Sequence, residues 1–488
     1  MTAISRRDFL RMTGLSLVTL AVPGIAATEK ISRPNLLIIH TDEHNFRTLG
    51  CYRRTLPPEQ AFMWGETAVV ETPNIDWIAD NGAICTKYYA TTPVCSPSRA
   101  SFVSGKYPQN TPVGKNNVPL NVNIVTFAEI LRRAGYATGY AGKWHLDGEG
   151  KPEWAPDRRF GFEDNRYMFN RGHWKKLVDT PDGPGFDTDC QPSKSVSGAT
   201  EADYPTDWFT DRTIEFIKKN RYKPFCYMVG FPDPHDPDTV RKPYDSLYNG
   251  MTFKRPRTYD KPTHNLPTWA MPREINYNQA MYYGMIKCID DNVGRILECL
   301  RQTALIENTI IVFTADHGDM RGEHHLNNKN CPLEGSARIP FLIYYPAKIK
   351  AGTVVSQTLG TVDFLPTILS LIGVRTAGTE EGRNASNLFH DDTSSDGWKD
   401  ITFVRGVSGW LAAFTKRYKL IVSTSDSPWL IDLEKDPDEL TNVCTEPGYR
   451  EVAQGLALDL LAYGKKFNDE YIADTRISSA LYRLAGNG

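Results

Sequence analysis

Four apolar runs along the chain each end in polar or charged residues. Three of them cover residues 35–40, 225–230 and 309–314, and the fourth lies within the stretch GYATGYAGKWHL. Continuous apolar runs of this length are typical of strands buried in a parallel sheet. Because ligands bind at the carboxyl ends of the strands in open α/β sheets, the pattern predicts a site there. The polar residues at these ends are Asp42, Glu43, Lys143, His145, His235, Asp316 and His317.

Helical periodicity appears between these runs. In residues 279–302, apolar residues recur every three or four positions, as on one face of a helix. They are Met281, Met285, Ile289, Val293, Ile296 and Leu300. Residues 126–134 and 363–372 are two shorter helix patterns. The alternation predicts an α/β fold, in which a large, mostly parallel mixed sheet is flanked by helices on both faces.

Two long stretches, residues 150–205 and 232–275, lack periodicity and are rich in proline, aspartate, tryptophan and tyrosine. Loops of this length in a compact enzyme are usually lids or substrate walls, so we expect them to border the site. A polar, turn-rich segment after Gly373 is expected to be a linker. The stretches ITFVRGV, WLAAFT, RYKLIVST and WLIDL, with a helix from about Tyr449, predict a smaller C-terminal antiparallel-sheet subdomain.

The N-terminus contains SRRDFL, then an apolar run at residues 15–22 and small residues up to Ala27. This order is typical of a twin-arginine (Tat) signal peptide, and it predicts a periplasmic or secreted bacterial protein exported by the Tat machinery. The run is shorter than the ~20 residues that span a bilayer, so we expect no stable membrane span. The predicted organisation is a signal peptide at 1–27, a catalytic domain at 28–375 and a C-terminal subdomain at 376–488.

Charge and cysteine content narrow the classes of function. The 488 residues carry a formal net charge of −2, which gives no support for nucleic acid or an anionic membrane as the main partner. The nine cysteines include no Cys-x-x-Cys pair, and their odd number leaves at least one unpaired. Cys226, Cys288 and Cys299 fall in apolar patterns and are expected to be core thiols. The sequence leaves open whether Cys190 and Cys331 form a disulfide.

The predicted strand ends bring acids and bases together. Asp42, Glu43 and Asp316 would repel one another there, and a bound divalent cation removes that repulsion. Oxygen ligands favour Ca²⁺ or Mg²⁺, while the nitrogen of His317 extends the choice to Mn²⁺ or Zn²⁺. A metal with cations beside it fits a tetrahedral anionic ester, either a sulfate or a phosphate. The cationic and titratable residues expected there are Arg99, Lys143, His145, His235 and Lys329.

Cys95 lies in the stretch CSPSRASFVSG, which predicts a turn that leads into a helix. A helix N-terminus favours anions and would lower the pKa of a thiol at that position. A simple thiolate nucleophile is nevertheless a poor match for a hard metal ion. The residues alone leave open whether Cys95 is a structural thiol, a disulfide partner or a reactive group.

The same stretch resembles the Cys-x-Pro-x-Arg signature of the formylglycine-dependent (type I) sulfatases, which belong to the alkaline phosphatase superfamily. Four further stretches with family counterparts in the same order are PNLLIIHTDEHN, LRRAGYATGYAGKWHL, GFPDPHDP and TADHGDMRGEHHLNNKN, and DLEKDPDELTNV resembles a C-terminal segment. The resemblance covers most of the chain. It implies an alkaline phosphatase-like fold, the hydrolysis of sulfuric esters, and the conversion of Cys95 to formylglycine (3-oxoalanine) by a formylglycine-generating enzyme.

The resemblance also implies a metal site and its ligands. Asp316 would have two roles, as a metal ligand and as the base for the attacking hydroxyl of the hydrated formylglycine. The chain departs from many members at two positions, with Glu43 in place of aspartate and His317 in place of asparagine. Ca²⁺ is the expected ion, with Mg²⁺ and Mn²⁺ as alternatives. The implied ligands are Asp42, Glu43, Asp316, His317 and position 95 after its conversion.

The remaining implied roles belong to five residues. Arg99 would hold the nucleophile and offset charge at the metal, and Lys143 and Lys329 would contact sulfate oxygens. His235 would protonate the leaving alcohol. His145 would take the proton of the second hydroxyl of the hydrated aldehyde, which expels sulfate and restores the aldehyde.

The export signal and the aromatic loops KPEWAPDRRF, NRGHWKK and NLPTWAMP favour a sulfated carbohydrate or polysaccharide as substrate. Arg158, Arg159, Arg166 and His173 could bind neighbouring sulfates or carboxylates. The alternative is a phosphonate monoester or phosphodiester hydrolase of the same superfamily, although such relatives tend to lack the pair of Lys and His found at 143 and 145. A non-enzymatic binder of sulfated glycans is disfavoured, because every expected catalytic position is retained.

Overall fold

The computed structural model of the chain describes residues 33–186, 196, 198–260, 266–390 and 397–486. The predicted signal peptide and Cys190 lie outside these residues. In chain order, the strands of the described part are β1 (Asn35–Thr41), β2 (Ala83–Cys85), β3 (Tyr88–Tyr89), β4 (Ala137–Lys143), β5 (Asp164–Phe169), β6 (Leu177–Thr180), β7 (Gly183–Phe186), β8 (Phe225–Phe231), β9 (Thr309–Ala315), β10 (Phe341–Tyr344), β11 (Thr353–Val355), β12 (Leu359–Gly360), β13 (Thr402–Arg405), β14 (Trp410–Phe414), β15 (Tyr418–Ser423) and β16 (Trp429–Asp432). The α-helices of the same part are α1 (Gly50–Arg53), α2 (Pro58–Ala61), α3 (Pro73–Asp80), α4 (Cys95–Ser104), α5 (Phe127–Arg133), α6 (Pro205–Asn220), α7 (Gln279–Gln302), α8 (Glu334–Ala337), α9 (Phe364–Ile372), α10 (Arg450–Phe467) and α11 (Thr475–Leu484).

An eight-stranded sheet forms the centre of the fold, in the order β11-β2-β10-β9-β1-β8-β4-β5. β1 runs parallel to both neighbours, with His40 opposite Gly230 of β8 and Thr314 of β9. β10 is antiparallel to β2 and β9, and the other pairs of this sheet are parallel. The predicted large, mostly parallel mixed sheet is confirmed, and the four predicted strands are β1, β4, β8 and β9.

Helices cover both faces of this sheet, which explains why the middle of each central strand is apolar. Leu36 and Ile38 of β1 belong to one hydrophobic core with residues of α4, α5 and α9. Leu37 and Ile39 belong to a second core with residues of α3, α6 and α7. Because successive side chains of a strand point to opposite faces, a strand buried on both sides needs a continuous apolar run.

The 24-residue helix α7 has the bounds that its apolar periodicity predicts. Asn278 caps its N-terminus, where the side chain accepts a hydrogen bond from the Met281 N–H. Met285, Ile289 and Val293 of the predicted face are fully buried, and Met281 is partly buried. The two shorter predicted helices are α5 and α9, each within one residue of the expected bounds.

Strands β13 to β16 form a separate four-stranded antiparallel sheet, against which α10 and α11 pack. The predicted small antiparallel sheet is therefore confirmed, although α11 has no counterpart in the prediction. The expected linker after Gly373 is packed, because Ala385, Leu388 and Phe389 join the core that contains Leu36. The division of the chain at residues 27 and 375 stays a prediction.

The two long aperiodic stretches differ in the structure. Residues 150–205 contain β5, β6 and β7, and β5 extends the main sheet beside β4. The described residues of 232–275 contain one 3-10 turn, Thr268–Ala270, and no strand. The role of both stretches as lids or substrate walls stays a prediction. Trp174 and Trp269 are buried, and Trp154 packs against Phe169. These rings stabilise the loops internally.

Two further findings concern the described residues only. No helix in them is both long and apolar enough to cross a membrane. Cys226, Cys288 and Cys299 are buried, as predicted for core thiols. The free thiols in this part are Cys51, Cys85, Cys95, Cys226, Cys288, Cys299, Cys331 and Cys444.

Candidate active site

The carboxyl ends of β1 and β9 place three acidic residues side by side. Asp42 and Glu43 follow β1, and Asp316 follows β9. The Glu43 N–H donates to Asp316 Oδ1 over 3.1 Å, and the Asp316 N–H donates to the Thr41 carbonyl over 3.2 Å. Glu43 has a left-handed φ of 60°, a strained conformation of the kind that concentrates at functional sites. The strand pairing therefore brings the acids together, as the sequence pattern indicates.

Cys95 is the first residue of the buried helix α4. Its Sγ lies 3.2 Å from Nε2 of His317 and 3.9 Å from both Asp42 Oδ1 and Lys143 Nζ. Burial would raise the pKa of the Cys95 thiol, but Lys143 and Lys329 hold that pKa well below its usual value. Position 95 is therefore a place where negative charge is stabilised.

Four buried residues here could hold a metal ion. One ligand atom from each of Asp42, Cys95, Asp316 and His317 lies within 4.8 Å of the others. The His317 Nδ1 is 2.9 Å from the Gly318 carbonyl, so this nitrogen carries the hydrogen and Nε2 keeps the lone pair that a metal needs. Two carboxylates and an imidazole fit a divalent cation, whose charge offsets theirs.

Arg99 ties the two aspartates of this group together. Its Nε donates to Asp316 Oδ2 over 2.9 Å, and one terminal nitrogen donates to Asp42 Oδ2 over 3.1 Å. The other terminal nitrogen donates to the Lys143 carbonyl over 2.7 Å. Lys143 Nζ lies 2.5 Å from Asp42 Oδ2. One oxygen of each aspartate is thus held by cations, and Oδ1 of each lies near His317 Nε2.

Glu43 lies beside this group but is not part of it. Its Oε2 accepts a hydrogen bond from Lys329 Nζ and lies 2.9 Å from His235 Nε2. Its Oε1 is buried with no hydrogen-bond partner among the described residues. Burial would raise the pKa of Glu43, but His235 and Lys329 lower that pKa to about 2. The role of Glu43 as a metal ligand stays a prediction.

The ring of His235 lies among two carboxylates and a lysine. Its Nδ1 lies 2.6 Å from Asp236 Oδ1, and Lys329 Nζ lies 2.7 Å from its Nε2. Burial lowers the pKa of His235, but the Glu43 and Asp236 carboxylates raise it well above its usual value. The ring is therefore suited to donate a proton.

His173 is brought into the cluster from the loop that follows β5. Its ring is stacked on that of His235, with centroids 3.9 Å apart and an angle of 11° between the planes. Its Nε2 accepts a hydrogen bond from Lys143 Nζ over 2.9 Å. Burial lowers the pKa of His173 well below its usual value, so this ring is neutral.

His145 contacts a residue that the sequence pattern does not single out. Its Nε2 lies 3.0 Å from Oδ1 of Asn117, a residue 28 positions earlier in the chain. Burial lowers the pKa of His145, which keeps the ring neutral. Asn117 lies in an aperiodic turn with no charged or metal-ligand motif, so no local signal could have identified it.

The three arginines expected to bind substrate make other contacts. Arg158 donates to the carbonyls of Leu120 and Asn121, and Arg159 donates to the Glu163 carbonyl. Arg166 lies over the ring of Tyr167 at 4.5 Å. The structure does not bring these arginines to the cluster around Cys95, and their contact with substrate stays a prediction.

A buried cysteine, a set of metal donors and two lysines at the carboxyl edge of an α/β sheet define a hydrolase of anionic esters. The chain belongs to the sulfatase family: the family model described as Sulfatase matches residues 34–374. A second model, described as N-sulphoglucosamine sulphohydrolase, C-terminal, matches residues 322–466. The protein is a sulfuric ester hydrolase, as the resemblance of its motifs implies.

One curated relative and two solved structures illustrate what the chain is similar to. The chain is similar to N-acetylglucosamine-6-O-sulfatase of Bacteroides thetaiotaomicron, with 26% identity and coverage of 94% of this chain and 91% of that protein. Its fold is similar to a structure in complex with its substrate D-glucosamine-2-N,6-O-disulfate (TM-score 0.73, 22% identity, 91% and 99% coverage). It is also similar to the phosphonate monoester hydrolase of Agrobacterium radiobacter (TM-score 0.69, 22% identity, 90% and 97% coverage). These likenesses confirm the predicted fold class.

Proposed function

We propose that this sulfatase removes sulfate from a sulfated carbohydrate or polysaccharide, with formylglycine at position 95 and a divalent metal. The observation that carries the proposal is the location of Cys95 at the N-terminus of α4, within 3.9 Å of Asp42, Lys143 and His317. A thiolate is a soft ligand, whereas the hydrate of an aldehyde offers the oxygen atoms that hard cations prefer. The geometry therefore suits the converted residue better than the thiol.

The proposed metal would be held by Asp42, Asp316, His317 and position 95, with Glu43 as a further ligand. Ca²⁺ is the proposed ion because carboxylate oxygens predominate among these donors, and Mg²⁺ and Mn²⁺ are the alternatives. A bound cation would polarise the sulfate group and offset the charge that develops on its oxygens.

The nucleophile would come from position 95. A hydrated aldehyde there would supply one hydroxyl to attack sulfur and a second through which sulfate can leave. Asp316 is the proposed base for the first hydroxyl, and Arg99, which bonds both Asp316 and Asp42, would hold that group. Lys143 and Lys329, whose charges lower the pKa of the buried Cys95, would bind the sulfate oxygens.

Two histidines would move the protons. His235 is the proposed acid, because its neighbouring carboxylates keep the ring protonated against the effect of burial. Its Nε2 proton would pass to the oxygen of the leaving alcohol. His145 is the proposed base for the second hydroxyl, and its removal of that proton would expel sulfate and restore the aldehyde.

The names of two relatives support the substrate class. One is an N-acetylglucosamine-6-O-sulfatase, and the other was solved with a glucosamine disulfate as its substrate. Because Trp174 and Trp269 are buried, the aromatic loops add no support. His173 is the one predicted substrate-binding residue that contacts the cluster, through Lys143 and His235.

Maturation and location belong to the same proposal. A formylglycine-generating enzyme would convert Cys95, and the Tat machinery would export the protein to the periplasm or beyond. The twin-arginine pattern in residues 1–27 supports this route.

The alternative function is phosphonate monoester or phosphodiester hydrolysis, which the structural likeness to a phosphonate monoester hydrolase favours. The presence of both Lys143 and His145 in the cluster disfavours it.

The deciding experiment compares kcat/KM on sulfate and phosphonate esters with the same leaving group. A preference for the sulfate ester is expected, together with loss of activity in Cys95→Ala and retention in the buried control Cys226→Ala. A preference for the phosphonate ester would contradict the proposal.

A further inference from the structure

We propose that Asn117 is a positioning residue that fixes which nitrogen of His145 carries the hydrogen. This inference rests on the proposed role of His145 as a base. Asn117 Oδ1 lies 3.0 Å from His145 Nε2. An amide oxygen only accepts hydrogen bonds, so Nε2 carries the hydrogen and the lone pair of the neutral ring resides on Nδ1.

Nδ1 of His145 is available for chemistry. This nitrogen is buried and has no hydrogen-bond partner among the described residues. A buried acceptor without a partner is costly, which indicates that a proton-bearing group comes to it during function. His145 lies beside the start of α4, because Ser96, the neighbour of Cys95, donates through its Oγ to the His145 carbonyl over 2.7 Å. With Nε2 held by Asn117, the lone pair on Nδ1 is the one left to take a proton from position 95.

The surrounding backbone holds both partners of this contact in place. The His145 N–H donates to the Asn170 carbonyl over 2.6 Å, and Ser96 Oγ donates to the His145 carbonyl over 2.7 Å. Asn116, next to Asn117, accepts a hydrogen bond from the Ser96 N–H over 2.9 Å. Two adjacent asparagines thus bind the start of α4 and the ring of the base.

The backbone of Asn117 explains which residue types can act there. Its φ is 66°, in the left-handed region that asparagine, aspartate and glycine adopt more readily than other residues. Asn117→Gly removes the acceptor without adding backbone strain, whereas Asn117→Asp keeps an acceptor oxygen at the same distance from the backbone. These two variants separate the hydrogen bond from the fold of the turn.

If the hydrogen moved to Nδ1, His145 could no longer accept a proton from position 95. Loss of the amide acceptor should therefore slow the release of sulfate while the attack on substrate continues. We expect kcat of Asn117→Gly to fall at least about tenfold, with KM falling in parallel, so that kcat/KM changes little. Asn117→Asp should stay within about threefold of wild type, as should Asn123→Gly, an exposed control in the same segment.

The direct readout is ¹⁵N NMR of the protein labelled at histidine nitrogens. The signals of His145 are assigned as those that disappear in His145→Ala. The wild-type ring should be protonated at Nε2 and unprotonated at Nδ1, and Asn117→Gly should shift this balance while Asn117→Asp preserves it. A wild-type ring protonated at Nδ1, or an Asn117→Gly variant with unchanged spectrum and kcat, would overturn the inference. Full kcat in His145→Ala would instead contradict the proposed base, and the spectra would still decide the role of Asn117.

Discussion

The imidazole rings of His173 and His235 are stacked face to face, with centroids 3.9 Å apart. The pKa values of the two rings shift in opposite directions: carboxylates raise the pKa of His235 well above its usual value against the effect of burial, whereas burial lowers the pKa of His173 well below it. A neutral aromatic face stabilises a cation that lies against it. We therefore expect the neutral ring of His173 to favour the protonated state of His235, the residue proposed to protonate the leaving alcohol.

Replacement of His173 should lower activity most on substrates whose leaving group must be protonated. We expect His173→Ala to lower kcat/KM about tenfold on an alkyl sulfate and little on a nitrophenyl sulfate, whose leaving group departs without a proton. His173→Phe keeps a flat ring and should retain most of the alkyl sulfate activity. Equal losses on both esters would show that His173 does not act through His235.

Arg321 and Asp238 join the two segments that carry Lys329 and His235. The guanidinium donates to both carboxylate oxygens, over 3.1 and 3.0 Å, and both side chains are largely buried. Arg321 also lies 3.3 Å from Asp319, so Asp238→Asn removes one of its two buried carboxylate partners and should lower the free energy of unfolding by about 2 kcal/mol. The control is Asp438→Asn, which breaks the more exposed pair with Arg257 and should cost less than about 1 kcal/mol. Urea unfolding measures both, and equal losses would contradict the account.

His44 should make the fold sensitive to acid. Its nitrogens lie 3.2 Å from the hydroxyl of Thr41 and 3.0 Å from that of Thr48, and burial lowers the pKa of His44 to about 3. Between pH 6.5 and about 3, the unfolded chain binds a proton here that the folded chain does not, so stability falls as pH falls.

This histidine should contribute a slope of about 1.4 kcal/mol per pH unit across that window. His44→Gln keeps hydrogen-bonding groups for both hydroxyls but cannot titrate. Its unfolding free energy, measured in urea from pH 7 to 4.5, should decline less steeply than that of wild type. Parallel curves would mean that His44 is protonated in the folded state or that its contribution is absent.

Removal of divalent metal should destabilise the protein, because the carboxylates of Asp42 and Asp316 then lose a cation that offsets their charge and His317 loses its bond to that cation. Chelation should lower Tm, and Ca²⁺ should restore it. At a free Ca²⁺ concentration of about 100 times Kd, binding would add about 2.7 kcal/mol to the free energy of unfolding. Asp316→Asn should lose most of this Ca²⁺-dependent shift, and Glu43→Gln should weaken it if Glu43 is a ligand. A Tm that does not respond to chelator in wild type would contradict the metal site.

The sequence predicts the central strands of the fold because their burial is visible in the residues of each strand. A strand buried on both faces must be continuously apolar, which is why β1, β8 and β9 are visible in the pattern, and their shared edge follows from their parallel order. The pattern does not indicate β5, because DNRYMF is an edge strand with exposed and charged positions. It also does not indicate α6, which begins where the first aperiodic stretch ends.

The sequence likewise indicates some residues of the site and not others. Residues at strand ends, such as Asp42 and Asp316, are found by pattern, and the motif around Cys95 predicts the position of the nucleophile. Contacts made across loops leave no such signal: Asn117 meets His145, and His173 meets His235, only after the chain has folded. The burial of Trp174 and Trp269 leaves no signal in composition either, because an aromatic loop can pack on itself as well as on a ligand.

The central claim, that position 95 works as formylglycine, is tested most directly by the mass of the tryptic peptide from Tyr88 to Arg99, taken from protein purified from its native host. Conversion of the cysteine lowers this mass by about 18 Da. We predict the lighter peptide in active preparations, with specific sulfatase activity proportional to its fraction. Full sulfatase activity in protein whose peptide retains an unconverted cysteine would contradict the account.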